Sequence, residues 1–404
     1  MLLNSQFKMR IEHFGVTAKD LENGSFYKFQ NCTAVIIFLL TKIDKMSRND
    51  ILSISEKLDV SIDEINSIFS NLSNYKILNI NEIYASDKGH NDQSIKIAEI
   101  IDLYKEIKPK KEIVKPFWSH LQPFTRCNQK CVHCYCSGGP NADPFILPLE
   151  KWFFIIDKLD KFGVFDVYIT GGENLICDEF FELSKYILSK KLGYGMSTNA
   201  TLLTKKNINR LKDLNLRRIQ VSIDASTPEV YKMIRGVDTF YQAISGLKEI
   251  SHFTEPVINT VVNKKNYHQL EDIVLLGMAN KVSKFKFFPQ KNCGRTITFS
   301  EMVFNDKDIK NLIIPKCLEL SKKYTVEIET IGQSACGSGT SGFAVDQYGF
   351  AYPCIFGVED HTQRIGNILE QDLEDIWFDS KILNTFRQLE RGEFCHRCEK
   401  KLTI

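Results

Sequence analysis

Three cysteines crowd one short stretch, Cys127-Asn128-Gln129-Lys130-Cys131-Val132-His133-Cys134. Thiolates at this spacing on a single loop can take three irons of a four-iron cluster and leave the fourth iron open. The same triad could contribute to a structural zinc site, for which a fourth ligand is near in His133 or Cys136. Further along, Tyr168-Ile169-Thr170 runs into Gly171-Gly172-Glu173. Two glycines let a backbone come close to a ligand, and a carboxylate beside them can receive an ammonium. Ser197-Thr198-Asn199 and Ser222-Ile223-Asp224 bring hydroxyl and carboxylate groups that can bond ribose hydroxyls, and Arg235 adds a cation. Each of these could equally serve as a helix cap or a surface salt bridge. A second set of thiols, Cys336, Cys354, Cys395 and Cys398, could fill every position of one iron–sulfur cluster or of a four-cysteine zinc site.

Side chains this far apart meet only if regular elements bring them together. Strand-like stretches occur at Trp118–Phe124, Val164–Thr170, Tyr194–Thr198, Arg218–Ile223, Val257–Val262 and Lys284–Phe288, with helical segments between them. In the first of those helices Trp152, Ile155, Ile156 and Leu159 recur at i, i+3, i+4, i+7 and form one apolar stripe. Strand–helix alternation implies parallel strands joined by right-handed crossovers. Six such units predict an α/β fold, a partial (β/α)6 barrel of the TIM type, with chemistry at the C-terminal ends of its strands. The triad, Gly-Gly-Glu, Ser-Thr-Asn and Ser-Ile-Asp follow the first four strands in turn. From Ile331 onward the chain is rich in Gly and Cys, with one clear helix near Leu373–Leu389, and reads as a small metal-stapled domain.

The triad, the Gly-Gly-Glu segment and the strand order together resemble the radical S-adenosylmethionine (SAM) superfamily from Phe117 to about Phe288, which argues against zinc at the triad. The resemblance implies that Cys127, Cys131 and Cys134 hold a [4Fe-4S] cluster whose open iron is chelated by the amino and carboxylate groups of SAM. The reduced cluster would then cleave SAM to a 5′-deoxyadenosyl radical. It also implies that Gly171, Gly172 and Glu173 hold the amino group of SAM. Ser197, Asn199, Ser222 and Asp224 would contact its ribose and methionine moieties, and Arg235 would lie near its carboxylate. Cys336, Gly349, Cys354, Gly366-Asn367-Ile368-Leu369, Leu373-Glu374-Asp375-Ile376-Trp377, Cys395 and Cys398 resemble the auxiliary-cluster domain of the SPASM/twitch group. The later cysteine run of a full SPASM pattern is absent. One auxiliary cluster, [4Fe-4S] or [2Fe-2S], is therefore expected in a twitch-type domain. Cys32, Cys177 and Cys317 sit in apolar settings and read as core. Cys136 and Cys293 fall nearer the barrel mouth, as candidates for a hydrogen donor or transient ligand.

Ahead of the barrel, strand-like Phe14–Ala18 and Phe26–Gln30 precede helical patterns at Cys32–Leu40, Arg48–Leu58 and Ile62–Leu72, and a strand-like Ile77–Tyr84 follows. The third helix starts with a capping box, Ser61 with Glu64. This is the order of a winged helix-turn-helix. Polar Ser86–Ser94 and basic Lys108-Pro109-Lys110-Lys111 mark a linker, so the expected domains are 1–85, 86–115, 116–330 and 331–404. The would-be reading helix, Ile62–Leu72, carries acids and no Arg or Lys, and its field would repel phosphate. The domain instead resembles the precursor-recognition elements of ribosomal-peptide maturases, which bind a leader peptide as an added strand.

Bulk properties set the remaining bounds. In 404 residues, 43% are hydrophobic and 25% charged, and the net charge of +2 gives no reason to expect nucleic acid or an anionic membrane as partner. MLLNSQFKMR lacks the features of an export signal, so the chain is expected in the cytoplasm. Its twelve cysteines there point to metal or redox chemistry, not disulfides. The resemblances imply a radical SAM maturase of a ribosomally made peptide, close to the sactisynthases. Its expected product is a Cys thioether crosslink, with the precursor peptide and a reductant such as flavodoxin or ferredoxin as partners. Carbon–carbon crosslinking or epimerisation is the alternative within the class. A DNA-binding iron–sulfur redox sensor is the alternative outside it, and both the acidic helix and the Gly-Gly-Glu segment oppose it.

Overall fold

The computed structural model describes residues 3–22, 24–43, 46–79, 94–107, 113–190, 192–216, 218–331 and 336–390. The chain packs as two units, Met1–Lys115 and Pro116–Ile404. Among the described residues no helix is long and apolar enough to cross a membrane.

The first unit opens with an antiparallel sheet of β1 (Phe7–Glu12), β2 (Gly15–Asp20) and β3 (Phe26–Gln30), in that order. The helices α1 (Asn31–Leu40), α2 (Arg48–Leu58), α3 (Ile62–Asn74) and α4 (Ser94–Ile107) follow. Their inward side chains, Ile36, Leu39, Ile54, Ile65, Phe69 and Ile97 among them, are fully buried in one apolar core. Ser61 accepts from the Glu64 amide as its spacing predicts. The reciprocal capping box lies one helix earlier, where Ser47 and Asp50 exchange bonds in both directions. Strand β1 is an addition to the expected order. Its pattern misleads because Arg10 and Glu12 point inward as an ion pair, and Arg10 also donates to the Lys115 carbonyl. Of the expected strand Ile77–Tyr84, Leu78 bridges Leu3, while residues 80–84 and both linker motifs, apart from the linker's last residue Ser94 at the start of α4, lie outside the described residues.

In the second unit, β4 (Trp118–Phe124), β5 (Asp166–Gly171), β6 (Gly193–Thr198), β7 (Ile219–Ser222), β8 (Val257–Val262) and β9 (Lys284–Pro289) lie side by side in sequence order, all parallel. Helices α5 (Leu149–Phe162), α6 (Glu179–Leu188), α7 (Lys205–Leu214), α8 (Pro228–Arg235), α9 (Phe240–Ile250) and α10 (Leu270–Ala279) connect them. The apolar stripe of α5 is buried throughout, each side chain contributing about 1.5–3 kcal/mol. The helix ends at Gly163, whose φ of 92° an L side chain would resist. The predicted α/β core is thus present, with strand edges displaced by at most two residues.

The sheet extends at both ends and stays open. After a single turn α11 (Asp306–Asp308), a π-turn and α12 (Ile314–Tyr324), strand β10 (Glu327–Thr330) joins β9. At the other edge β11 (Gly342–Val345) pairs in parallel with β4, followed by antiparallel β12 (Phe350–Tyr352) and β13 (Gly366–Asn367). β11 can lie that close because Gly342 has no side chain: a Cβ there would sit 2.1 Å from the Trp118 ring. The cysteine-rich C-terminal region therefore continues the barrel sheet. The single helix expected near Leu373–Leu389 is instead a π-turn, Asp375–Asp379, and a separate α13 (Lys381–Gln388). Ser380 breaks them apart, adopting extended backbone and capping α13 through the Leu383 amide.

Candidate active site

The C-terminal end of β4 is bent before it reaches the cysteines. Its pairing with β5 shifts between Leu121 and Phe124, where Pro123 has no amide to offer the ladder. Phe124 O then accepts from Gly172 N at 2.8 Å, and Arg126 O from Glu173 N at 2.9 Å. These bonds lay the Gly-Gly-Glu turn directly on the start of the cysteine loop. A Cβ on Gly172 would fall 2.0 Å from Arg126 O, and one on Gly171, at φ 122°, 2.3 Å from Phe124 O. Both glycines are thus required by close approach of backbone to backbone.

Glu173 is buried beneath this turn. Its carboxylate accepts from Thr198 Oγ1 at 2.8 Å, Asn199 N at 2.7 Å and Leu175 N at 3.2 Å. Burial pushes its carboxyl above the ordinary range, against the pull of those donors. Asn199 in turn reaches the loop: its Nδ2 donates to Asn128 Oδ1 at 2.8 Å and stands 3.9 Å from Cys127 Sγ. Ser197 donates to Thr170 Oγ1 at 3.2 Å, and Tyr135 OH lies 3.3 Å from the same oxygen. Ser222 ends β7, half-buried.

The far side of the loop rests on α8. Lys130 N and Val132 N donate to Arg235 O and Ile234 O, carbonyls a helix end leaves free. Arg235 Nη1 stands 3.8 Å from Cys131 Sγ. Asp224 is fully buried, and its carboxylate is taken by Arg235 Nε at 2.7 Å, His133 Nε2 at 2.6 Å and Val261 N at 2.8 Å. Burial would raise its carboxyl, but the Arg235 and His133 charges outweigh that and hold it at about 2. Arg235 is correspondingly more firmly protonated than usual, Asp224 and Cys131 outweighing the cost of burial. Asp224, expected as a ribose contact, thus has both oxygens engaged inside the protein.

The three thiols differ in surroundings. Burial, then Glu173, pushes Cys127 up to about 12; burial, opposed by Arg235, pushes Cys131 up to about 11. Cys134 is drawn down, chiefly by the hydrogen bond it shares with Cys136, whose Sγ lies 3.7 Å away; Gly138 N donates to it at 3.2 Å. Cys136 itself is buried among Ala344, Tyr352, Ile355 and Val358. Among the described residues no three His, Cys, Asp or Glu side chains converge on one metal ion. Each triad sulfur has an N–H or S–H donor beside it, as a metal-bound thiolate requires.

Of the second thiol set, Cys354 is buried against Phe386 of α13, with Ile382 and Leu389 alongside. Cys336 precedes the tight turn, closed by Ser341 N to Gly337 O at 2.7 Å, that leads into β11. Cys395 and Cys398 lie outside the described residues. Cys177 and Cys317 are buried and Cys32 is partly so. Cys293 is buried in the loop after β9.

Two residues escaped the sequence reading. His133 was seen only as a possible zinc ligand, and Arg295 was not singled out. A Gly-Arg pair, Gly294-Arg295, just after the last predicted core strand was the available signal.

A family profile for the radical SAM superfamily matches residues 121–276, and one for a SPASM iron–sulfur cluster-binding domain matches 336–399. Mycofactocin maturase MftC of Mycobacterium tuberculosis (strain CDC 1551 / Oshkosh) is 27% identical over 67% of this chain and 73% of its own length. The subtilosin biosynthesis protein AlbA of Bacillus subtilis is 24% identical over 72% of this chain and 65% of its own. Among solved structures, Streptococcus suis SuiB bound to precursor peptide SuiA superposes with a TM-score of 0.74 over 96% of this chain and 91% of that one. At 18% identity this speaks for the fold.

Proposed function

This chain belongs to the radical SAM superfamily and carries its SPASM-type iron–sulfur domain, and from that premise we propose that it matures a ribosomally made peptide by forming a crosslink, a Cys thioether. The observation that carries the reading is the convergence of three thiols with Glu173 and Asn199 at the ends of β4, β5 and β6. Relatives and a fold neighbour whose names speak of peptide maturation support the substrate class.

In this reading Cys127, Cys131 and Cys134 would hold a [4Fe-4S] cluster, which would supply the electron for reductive cleavage of SAM. The chain's own residues prepare the place. The Gly171–Gly172 backbone comes close without side chains, and Glu173, fixed by three donors, receives the SAM ammonium. Ser197 and Ser222 offer hydroxyls from β6 and β7, while Asn199 orients the loop at Cys127. Asp224 and Arg235 act from behind, holding His133 and the Cys131 side of the loop. Cys336, Cys354, Cys395 and Cys398 would bind one auxiliary cluster able to take up the electron released when the crosslink closes.

The first unit is assigned to the leader peptide. Its β3 edge would accept an added strand, and the acidic first turn of α3, Asp63 and Glu64, suits a basic leader better than a phosphate backbone. Epimerisation is less well supported, because both candidate hydrogen donors, Cys136 and Cys293, are buried.

The test is anaerobic reconstitution, reduction with dithionite, and incubation with SAM and a Cys-containing precursor. We expect 5′-deoxyadenosine and a peptide lighter by two hydrogens. Unchanged peptide mass with solvent deuterium uptake would mean epimerisation, and absence of 5′-deoxyadenosine would remove the reading altogether.

A further inference from the structure

β4 and β9 stand at opposite ends of the six-stranded core, with β5 to β8 between them. The loops leaving their C-terminal ends nevertheless meet. Arg295 N donates to Cys134 O at 2.9 Å. Its guanidinium donates through Nη1 to Cys131 O at 2.6 Å, and through Nη2 to Ser137 O at 2.9 Å and Gly138 O at 2.7 Å. One side chain thus gathers three carbonyls of the cysteine loop, and its own amide takes a fourth.

The approach depends on the residue before it. Gly294 has φ 56°, and a Cβ there would lie 2.3 Å from Tyr135 O and 2.5 Å from Cys134 O. Any larger residue would push the two loops apart. Arginine is suited to the rest, since its planar fork carries five donors and stays charged at any working pH. Lysine, a single point charge, could not span the same three oxygens.

We propose that Arg295 is a positioning residue, a latch that sets the separation of Cys131 and Cys134 before iron arrives and closes the mouth of the open sheet through the cysteine loop. The latch rests on the reading of the triad as the cluster-holding residues. Its carbonyl partners flank the second and third thiols, and its charge lies beside a loop that must accept an anionic cluster. The role is mechanical and electrostatic: Arg295 touches no sulfur in the bonds described.

The experiment compares the full-length protein with Arg295→Ala, Arg295→Lys and Gly294→Ala. Three quantities are read: the rate at which iron is lost to a chelator, the fraction of the reduced-cluster EPR signal that shifts on adding SAM, and the circular dichroism of iron-free protein. Arg295→Ala, which deletes three charge-assisted bonds, and Gly294→Ala, which pushes the loops apart, should lose the SAM-responsive iron at least about tenfold faster. Arg295→Lys should fall between them and wild type, and the SAM-unresponsive signal should stay as it was. If Arg295→Ala does not fold, Gly294→Ala and Arg295→Lys decide the matter. Wild-type iron loss and EPR response in the folded variants would overturn the latch. A wild-type protein with no SAM-responsive signal would instead overturn the reading of the triad, which is a separate failure.

Discussion

His133 and Asp224, 91 residues apart in sequence, share a hydrogen bond of 2.6 Å. That bond fastens the middle of the cysteine loop to the residues just beyond β7, and Arg235 closes the arrangement from α8 by pairing with the same carboxylate. A buried carboxylate paired with Arg235 and bonded to His133 stabilises only while it stays ionised.

Replacing Asp224 with Asn should therefore destabilise iron-free protein by about 3–5 kcal/mol at neutral pH, because Arg235 is left buried without its counter-charge. The carboxyl sits at about 2 in the folded chain and near 4 when unfolded. Its stabilising contribution is then complete above about pH 4 and disappears as pH falls through 2. Denaturant melts should show the gap between wild type and variant narrowing over that window. A gap independent of pH would contradict the assignment.

Gly172→Ala should fail where Gly139→Ala succeeds. The first places a methyl 2.0 Å from Arg126 O, whereas the second meets nothing nearer than 3.6 Å. We expect a stability cost of about 1–3 kcal/mol and loss of measurable SAM binding for Gly172→Ala. For Gly139→Ala the change should stay within about 0.5 kcal/mol. Thermal melts with SAM titration by calorimetry separate the two.

Iron analysis should divide the cysteines into two groups. Cys131→Ala should abolish the SAM-responsive EPR signal and leave the remaining cluster iron in place. Cys354→Ala should do the reverse, leaving SAM cleavage without peptide while product formation fails. Equal iron loss from both variants would count against two separate clusters.

Cys136→Ala removes the S–H donor that stands 3.7 Å from Cys134. A ligand sulfur that loses a hydrogen bond bears more charge, so the reduced cluster becomes harder to form. Potentiometry followed by EPR should find the midpoint moved to more negative values, with Cys136→Ser shifted less. A midpoint unchanged in both variants would exclude the hydrogen bond as an influence.

Much of this site was legible in advance because the barrel writes its order into the sequence. The alternation of strand-like and helical stretches and the stripe of Trp152, Ile155, Ile156 and Leu159 located the core, and each chemical motif follows a strand end. What escaped depends on contacts that leave no local trace. Arg295 bonds a carbonyl 164 residues away, and the Gly294-Arg295 pair beside the last core strand does not say which loop it would meet. β1 was hidden because Arg10 and Glu12 face inward as a pair, reversing the usual alternation. Ser380 interrupts a helix whose apolar spacing, taken alone, continues through it. For Asp224 a sequence shows a carboxylate, but not its ion pair with Arg235 or its hydrogen bonds with His133 and Val261 N.

The pairing of β11 with β4 bears on how the protein is made. These neighbours are more than two hundred residues apart, so during synthesis β4 has one bare edge until β11 has left the ribosome. A truncated or stalled product would display that edge and its unpaired backbone groups to other chains. Fragments that end before β11 should accordingly be insoluble, while chains that include it cover the edge themselves.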